Sequence, residues 1–196
     1  MTEDILSFLQ EALRLKRMVR SGWIYSGVAK ADTESVADHS YMITLLTLIL
    51  ALKEKEKGNN IDIEKSLVMA ILHDLPESVS QDLDRRIRKY SPKKYDEFKN
   101  ELEREALKHL FDNLPKKTSD YLFEIFQEFL EKKSPEARIV LEADRLETIL
   151  QMNDYIQRGY PRKLFSEFIK NFSEEIEDYK NEDVKDMARH LLDGAK

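Results

Sequence analysis

Apolar residues recur along most of the chain at intervals of three and four positions, the spacing that places side chains on one face of an α-helix. In the first segment Ile5, Phe8, Leu9, Ala12 and Leu13 follow this spacing. No run of alternating apolar and polar residues competes with it, and the chain has only 5 Gly and 5 Pro to interrupt it. The sequence therefore predicts an all-α protein.

Start and stop signals divide the pattern into helices. Ser35 is a predicted cap of a helix that ends at Gly58, and Asp62 of a helix that ends before Pro76. Ser91-Pro92 and Ser134-Pro135 each place a capping serine before a first-turn proline. The predicted helices cover about 5–20, 35–57, 62–73, 85–89, 92–114, 119–131, 135–158, 163–179 and 183–192. Connecting stretches are expected at 21–34 and 78–84.

The length and charge of the chain limit its domain organisation and partners. A chain of 196 residues is expected to form one domain, spanning 1–196. The net charge of −6 is spread without a basic stripe, which disfavours binding to nucleic acid. The longest apolar stretch, Tyr41 to Leu52, is shorter than the ~20 residues that a membrane crossing needs, so no membrane segment is expected.

Cysteine usage and the N-terminal sequence bear on location and on metal chemistry. The chain has no cysteine, so any metal must be held by imidazole and carboxylate groups, and a reducing cytoplasm is the expected location. The acidic start Met1-Thr2-Glu3-Asp4 differs from the basic start of a secretory signal.

Four residues that can bind a metal lie within apolar helical patterns. His73 and Asp74 end an apolar run, His39 follows Val36 on the apolar face of its predicted helix, and Asp144 follows Val140 in the same way. A buried carboxylate without a partner is costly, so a cation or several hydrogen-bond donors must compensate it. Together these residues predict a divalent metal site between three helices.

Each of these residues taken alone has a simpler interpretation. A single inward histidine is more often a hydrogen-bonded core residue, and Asp144 could pair with Arg17 or Arg138. Adjacent residues on a helix project about 100° apart, so His73 and Asp74 reach one ion only near a helix end, which Pro76 supplies.

The order of these residues resembles a known superfamily. His39 is followed by His73-Asp74 34 residues later, and Asp144 lies 70 residues after Asp74, as in the metal-dependent phosphohydrolases of the HD superfamily. Further motifs are similar to those of the branch that contains the 5'-deoxynucleotidases, and this resemblance covers about residues 10–160. The motifs are Leu15-Lys16-Arg17, Ser21-Gly22-Trp23, Glu34 to His39, His73 to Glu77, and Asp82.

The resemblance implies a helical bundle with a metal site in its core. His39, His73, Asp74 and Asp144 would bind one divalent transition metal, with Mn, Co, Fe, Ni or Zn as candidates. In the resembling enzymes the carboxylates that correspond to Glu77 and Asp82 orient the attacking water and protonate the leaving sugar oxygen, and Glu77 also lies near the sugar. The simpler interpretation of both is an exposed carboxylate at a helix end or turn.

The resemblance also suggests residues that contact the substrate. Trp23 would stack on the nucleoside or crowd its 2' position. Bacterial nucleotidases of this branch carry Arg directly before the Trp, where this chain has Gly22, so Arg20 is the candidate that reaches the phosphate. The motif Ser-Gly-Trp is similar to eukaryotic and archaeal members instead. Three further arginines are weaker candidates for phosphate contacts, because charged helix faces are usually only solvated. They are Arg85, Arg86 and Arg145.

The implied function is a phosphomonoesterase whose small-molecule substrates are deoxynucleoside 5'-monophosphates. One alternative is an HD hydrolase of a diphosphate, triphosphate or cyclic nucleotide, although Glu77-Ser78 replaces the Glu-Asp pair of the enzymes that hydrolyse the stringent-response alarmone. Another alternative is a non-catalytic helical interaction module with a structural metal, which retained Glu77 and Asp82 oppose.

Self-association is also expected. Many members of the resembling branch look like dimers, and the aromatic residues of one predicted helix exceed what a single buried face requires. These residues are Tyr121, Phe123, Phe126 and Phe129. A homodimer is therefore predicted.

Overall fold

The computed structural model describes residues 2–194, and in this range it is helical, as predicted. Its longest helices, α3, α6 and α8, contain 21, 20 and 23 residues. In chain order the helices are α1 Thr2–Ala12, α2 Ser21–Ser26, α3 Val36–Glu56, α4 Ile63–Leu72, α5 Glu77–Ser80, α6 Pro92–Phe111, α7 Lys116–Glu131, α8 Pro135–Gln157, α9 Ser166–Glu175 and α10 Glu182–Gly194. Short 3₁₀ segments lie at Leu13–Lys16, Arg85–Tyr90, Arg162–Phe165 and Ile176–Asp178.

One hydrophobic core joins these helices. α3, α4 and α8 pack against one another at its centre, α7 lies against α4 and α6, and α10 lies against α8. Ile43 of α3, Met69 of α4 and Ile149 of α8 are fully buried. The metal-binding residues predicted from the sequence therefore lie on, or directly after, the three central helices.

The predicted serine caps start α3 and α8. The Ser35 side chain accepts a hydrogen bond from Asp38 N, and Asp38 accepts one from Ser35 N, which forms a capping box at the turn that precedes His39. Ser134 accepts a hydrogen bond from Ala137 N at the start of α8. Ser91 stands before Pro92 in the same Ser-Pro motif, but its side chain makes no capping hydrogen bond.

This difference between two Ser-Pro motifs gives a stability prediction. Ser134→Ala is expected to lower the free energy of unfolding by about 1 kcal/mol, because one amide at the start of α8 loses its acceptor. Ser91→Ala is the matched control, and it is expected to cost less than about 0.5 kcal/mol. Urea denaturation of both variants measures the difference. Equal losses would show that the capping hydrogen bond contributes nothing to stability.

Several helix boundaries differ from the sequence prediction. α1 ends at Ala12 and continues as a 3₁₀ segment, and its Leu6 and Leu9 are exposed. The expected connecting stretch 21–34 contains α2, which ends at Gly27 in the left-handed conformation with φ 100°. The expected irregular stretch 78–84 is partly helical, as α5, and the expected helix 163–179 is divided into two 3₁₀ segments and α9.

The aromatic residues of α7 are mostly used in the core. Phe126 and Phe129 are buried, Phe123 is partly buried and packs against the core, and Tyr121 remains exposed. This helix therefore offers little free aromatic surface beyond Tyr121, and self-association stays a prediction.

α3 instead presents apolar side chains to solvent. By length and composition alone, α3 is long and apolar enough to cross a membrane, and the mean hydropathy of its most apolar part is 1.3. The 12-residue apolar stretch found in the sequence did not indicate this. A core helix of a soluble protein passes the same test, and α3 packs on α4 and α8. The exposed apolar stripe of α3 consists of Tyr41, Leu45, Ile49 and Leu52.

Candidate metal centre and substrate cavity

The four predicted metal ligands converge at the centre of the bundle. One ligand atom from each of His39, His73 and Asp74 lies within 4.8 Å of the other two. Asp144 Oδ1 lies 3.3 Å from His39 Nε2, and Asp74 Oδ2 lies 3.2 Å from His73 Nε2. Residues from α3, the end of α4 and α8 are thus brought together as the sequence indicated.

The backbone positions both imidazole rings. His39 lies in the first turn of α3 and is fully buried. α4 ends at Leu72, so His73 caps it, and Asp74 follows in the turn before Pro76. His73 Nδ1 lies 2.7 Å from Ala70 O, which can accept a hydrogen bond from it, and this leaves Nε2 directed at Asp74.

Glu147 on α8 fixes the other ring, and the sequence analysis did not predict it. Its Oε2 lies 2.5 Å from His39 Nδ1. Because a carboxylate only accepts hydrogen bonds, Nδ1 carries a proton, and Nε2 is the nitrogen that would bind a metal in place of its own proton. Glu147 therefore orients His39 and increases its basicity as a ligand. Its position, one helical turn after Asp144, is the only signal of this role in the sequence.

Removal of this carboxylate gives a prediction about metal affinity. Glu147→Gln is expected to weaken metal binding by about 10- to 100-fold, because the amide is a weaker acceptor for Nδ1–H of His39. Competition with a fluorescent chelator measures the change. Glu142→Gln is the matched control, since Glu142 is a buried acid of the same helix that accepts hydrogen bonds from Lys180 N and Asn181 N. Equal affinities in the two variants would remove the orienting role of Glu147.

The charges of the cluster favour a cation. Burial opposes the ionisation of Asp144, but Arg145 and His39 hold its pKa well below the usual range. Burial also opposes the ionisation of Asp74, whose pKa His73, His39 and Arg20 lower. Against burial and the charge of Arg20, the carboxylates of Asp144 and Glu147 raise the pKa of His39 to about 10. The cluster therefore stabilises positive charge at the point where a metal would replace a proton.

The residues present fit a divalent transition metal. Among the described residues, the buried Nε2 atoms of His39 and His73 have no hydrogen-bond partner. Both atoms face Asp74, and an unsatisfied buried ring nitrogen is costly unless something binds it. Two imidazoles and two carboxylates, without a thiolate, leave room for further ligands and suit a catalytic rather than a closed structural site.

Glu77 and Asp82 lie beside this cluster on one short segment of chain. Glu77 begins α5 and is 3% exposed, so it is not the exposed helix-end carboxylate of the simpler interpretation. Burial, followed by the charges of Asp74 and Asp82, raises the pKa of Glu77 well above its usual value. Its Oε1 lies 3.6 Å from Lys99 Nζ, a neighbour on α6 that the sequence did not predict, and its Oε2 has no partner.

Asp82 connects this segment to α2. Its Oδ2 accepts a hydrogen bond of 2.6 Å from Ser21 N. Gln81, directly before it, has the left-handed φ of 70°, which turns the chain out of α5. Arg20 lies next to Ser21, and its Nη1 is 3.6 Å from Asp74 Oδ2. Arg20 is thus held at the edge of the metal cluster, and Asp82 is hydrogen-bonded to the next residue along the chain.

Trp23 is placed differently from the expectation that it stacks on a nucleoside. It is 2% exposed and its ring is stacked on Phe168 of α9, with 4.8 Å between centroids. Its Nε1 donates a hydrogen bond of 2.7 Å to Glu34 Oε1. A Cβ on Gly22 would lie 3.4 Å from Phe168, so α9 occupies the space beside the position where other members carry Arg. Trp23 nevertheless belongs to the cavity wall.

A cavity of about 400 Å³ adjoins the metal cluster. Arg20 and Arg145 line it. Arg20 Nη1 also lies 3.6 Å from Asp74 Oδ2, and Arg145 Nη1 lies 3.5 Å from Asp144 Oδ2. Asp82 and Trp23 belong to the wall, and Phe168 of α9 closes one side. The volume lies within the usual range for pockets that hold small ligands.

Comparisons with known proteins agree with this geometry. A family model described as HD domain matches residues 12–185. The 5'-deoxynucleotidase HDDC2 of Dictyostelium discoideum is 35% identical over 99 residues, which are 50% of this chain and 51% of that protein. The 5'-deoxynucleotidase hdd1 of Schizosaccharomyces pombe is 36% identical over 80 residues, 41% of this chain and 36% of that protein.

A solved structure extends the similarity to nearly the whole chain. A conserved hypothetical protein from Pyrococcus furiosus is 37% identical, with a TM-score of 0.73, over 94% of this chain and 99% of that one. The chain spans between about a third and a half of the length of the two deoxynucleotidases it matches. Since the family model matches most of the described residues, the chain belongs to the HD domain family.

Proposed function

We propose that the protein is a metal-dependent phosphohydrolase that removes the 5'-phosphate from deoxynucleoside monophosphates. The observation that carries this proposal is the pair of unpartnered Nε2 atoms of His39 and His73, which face two carboxylates beside a cavity lined by arginines. Matched relatives bear the name 5'-deoxynucleotidase, which supports the same substrate class.

A metal held by His39, His73, Asp74 and Asp144 would supply a water of lowered pKa and polarise a phosphoryl oxygen. Asp82, held by Ser21 N, offers its other carboxylate oxygen as an acceptor that orients water. Arg20 presents a guanidinium at the edge of the cavity, where it can bind phosphate oxygens.

Glu77 is suited to act as the general acid. Its raised pKa means that it can hold a proton near neutral pH and donate it to the leaving sugar oxygen. Lys99 Nζ lies 3.6 Å from Oε1 and is bound more closely by Glu103, while the unpartnered Oε2 stays free for the transfer. We assign the contact with the sugar to the same carboxyl group, and we retain for Trp23 only the crowding of the 2' position, as part of the cavity wall.

Manganese, cobalt, iron, nickel and zinc are all compatible with the donor set. Imidazole nitrogen and carboxylate oxygen bind each of these divalent ions, and no thiolate selects among them. Dialysis against each ion, followed by measurement of bound metal and of activity, would rank them.

Phosphate release from a substrate panel tests the proposal. The panel contains deoxy- and ribonucleoside 5'-monophosphates of all bases, diphosphates, triphosphates and cyclic nucleotides, with added Mn²⁺ or Co²⁺. Release from deoxynucleoside monophosphates at the highest kcat/KM supports the proposal. A higher kcat/KM for another nucleotide class would instead indicate a different HD hydrolase, and metal binding without any turnover would indicate a structural module.

We also propose that the protein is a homodimer, through the exposed apolar stripe of α3. A helix that is apolar on all sides is normally buried on all sides. The stripe from Tyr41 to Leu52 is about 16 Å long at 1.5 Å per residue, which suits contact with the same stripe of a second copy. The hydrocarbon core of a membrane is about 30 Å thick, so the stripe is too short to cross it.

The mass in solution tests this interface. Light scattering is expected to give twice the chain mass of 23.1 kDa. Ile49→Asp is expected to give the monomer, since it places a charge within the stripe, whereas Ile87→Asp, at an exposed position of another segment, should leave the dimer intact. A monomeric parent would contradict the proposal, and so would binding of the stripe to lipid vesicles in place of a second copy.

A further inference from the structure

Two arginines at the cavity share a single carboxylate. Glu175, the last residue of α9, lies with Oε2 3.3 Å from Arg145 Nε and with Oε1 3.8 Å from Arg85 Nη2. Arg85 comes from the 3₁₀ segment Arg85–Tyr90 and Arg145 from α8, and all three residues line the cavity. Three separate elements therefore bring two positive charges and one negative charge together.

Two other arginines of the cavity each pair with an acid of their own at a shorter distance. The contacts of Arg85 and Arg145 with Glu175 are longer than these pairs. Burial and the charge of Arg145 lower the pKa of Arg85, as expected for two guanidinium groups close together. The pairs with a separate acid are Arg86 with Asp84 at 2.7 Å and Arg88 with Asp96 at 2.8 Å.

The shared carboxylate lies next to the metal centre. Arg145 Nη1 is 3.5 Å from Asp144 Oδ2, so the guanidinium bridges a metal ligand and Glu175. A phosphate bound at the metal would thus have Arg145 beside it. A second phosphate attached to the first would extend toward Arg85 and Glu175.

We propose that Glu175 is a specificity-determining residue that restricts this cavity to substrates with one phosphate. Its carboxylate occupies an anion site formed by Arg85 and Arg145, which a second phosphoryl group would otherwise fill. A diphosphate must either displace Glu175 or place its charge against it, whereas a monophosphate at the metal needs neither. The effect of Glu175 on substrate choice rests on the proposed phosphatase function. The anion site itself does not, because it can bind an anion without turnover.

Sulfate binding tests the anion site without catalysis. Sulfate is not hydrolysed and does not remove the metal, so calorimetry on the metal-loaded protein reports binding alone. Glu175→Gln is expected to bind sulfate about tenfold more tightly than the parent, because two guanidiniums become available for charge-assisted hydrogen bonds. Glu174→Gln removes the same charge from an exposed position of α9 and is expected to leave the affinity unchanged.

A double variant assigns the effect to the arginines. Glu175→Gln combined with Arg85→Ala is expected to return sulfate affinity to the level of the parent. The circular dichroism melting temperature of each variant checks that it is folded. If Glu175→Gln binds sulfate no more tightly than Glu174→Gln does, or if the double variant keeps the gain, the anion site is wrong.

Substrate selectivity tests the consequence for catalysis. The ratio of kcat/KM for a deoxynucleoside diphosphate to that for the monophosphate is expected to rise about tenfold in Glu175→Gln and to stay constant in Glu174→Gln. An unchanged ratio in Glu175→Gln overturns the specificity role. A parent that hydrolyses no monophosphate contradicts the proposed function instead, and sulfate affinity then decides the present inference by itself.

Discussion

Replacement of His73 by alanine is expected to abolish stoichiometric metal binding and to lower the rate of phosphate release by about a thousandfold or more. His73 Nε2 is buried, has no hydrogen-bond partner and faces Asp74, so its removal takes one of two imidazole donors from the cluster. The remaining imidazole and two carboxylates would then bind the ion weakly. Plasma mass spectrometry of the purified protein gives the metal content, and a phosphate assay gives the rate.

His190→Ala is the matched control for this variant. His190 lies on α10 at an exposed position and contributes to none of the described metal clusters. It should leave both metal content and rate as in the parent. Retention of a full complement of metal by His73→Ala would mean that the ion binds elsewhere.

Glu77→Gln is expected to lower kcat by about 10²- to 10⁴-fold while metal content remains that of the parent. The amide cannot donate the proton that the raised pKa of Glu77 makes available, yet it has nearly the same shape in the same buried position. Because the proton is needed at the leaving oxygen rather than for binding, KM should change much less than kcat. Steady-state kinetics with a deoxynucleoside monophosphate separates the two constants.

Glu136→Gln controls for the general effect of changing a buried acid. Glu136, on α8, is also buried, but its partners lie at the start of α4. It accepts a hydrogen bond from Asp62 N, and its Oε2 lies 3.3 Å from Lys65 Nζ. A loss of stability without a loss of kcat is expected for it. If Glu77→Gln keeps the kcat of the parent, Glu77 is not the general acid and its pairing with Lys99 is only structural.

The sequence predicted those parts of the molecule that depend on local signals. The caps at Ser35 and Ser134 mark the starts of α3 and α8, because each serine binds an amide only three residues away. The inward positions of His39, His73, Asp74 and Asp144 on or beside central helices predicted that these side chains lie close together, and the structure places them so. That they bind a metal stays a prediction.

The sequence could not predict contacts between elements that are distant in the chain. Glu147 reaches His39 from 108 positions away, and nothing local to either residue indicates the pairing. The helical pattern after residue 160 indicated a helix but not that Phe168 would cover Trp23 or that Glu175 would lie between two arginines. An aromatic residue in a connecting stretch has the same local sequence whether it faces a ligand or a second helix.

Some predictions are tested by neither the fold nor the comparisons. The cytoplasmic location and the absence of nucleic-acid and membrane partners remain predictions from composition and charge. The metal-centred chemistry, in contrast, leads to a direct experiment on the unmodified protein.

Removal and return of the metal tests the central claim most directly. After dialysis against a chelator the protein should release no phosphate from a deoxynucleoside monophosphate. Addition of one equivalent of Mn²⁺ or Co²⁺ per chain should restore the rate, because His39, His73, Asp74 and Asp144 form one site. Full activity in the metal-free protein, or no activity after any of the five candidate ions is bound, would contradict the proposed mechanism.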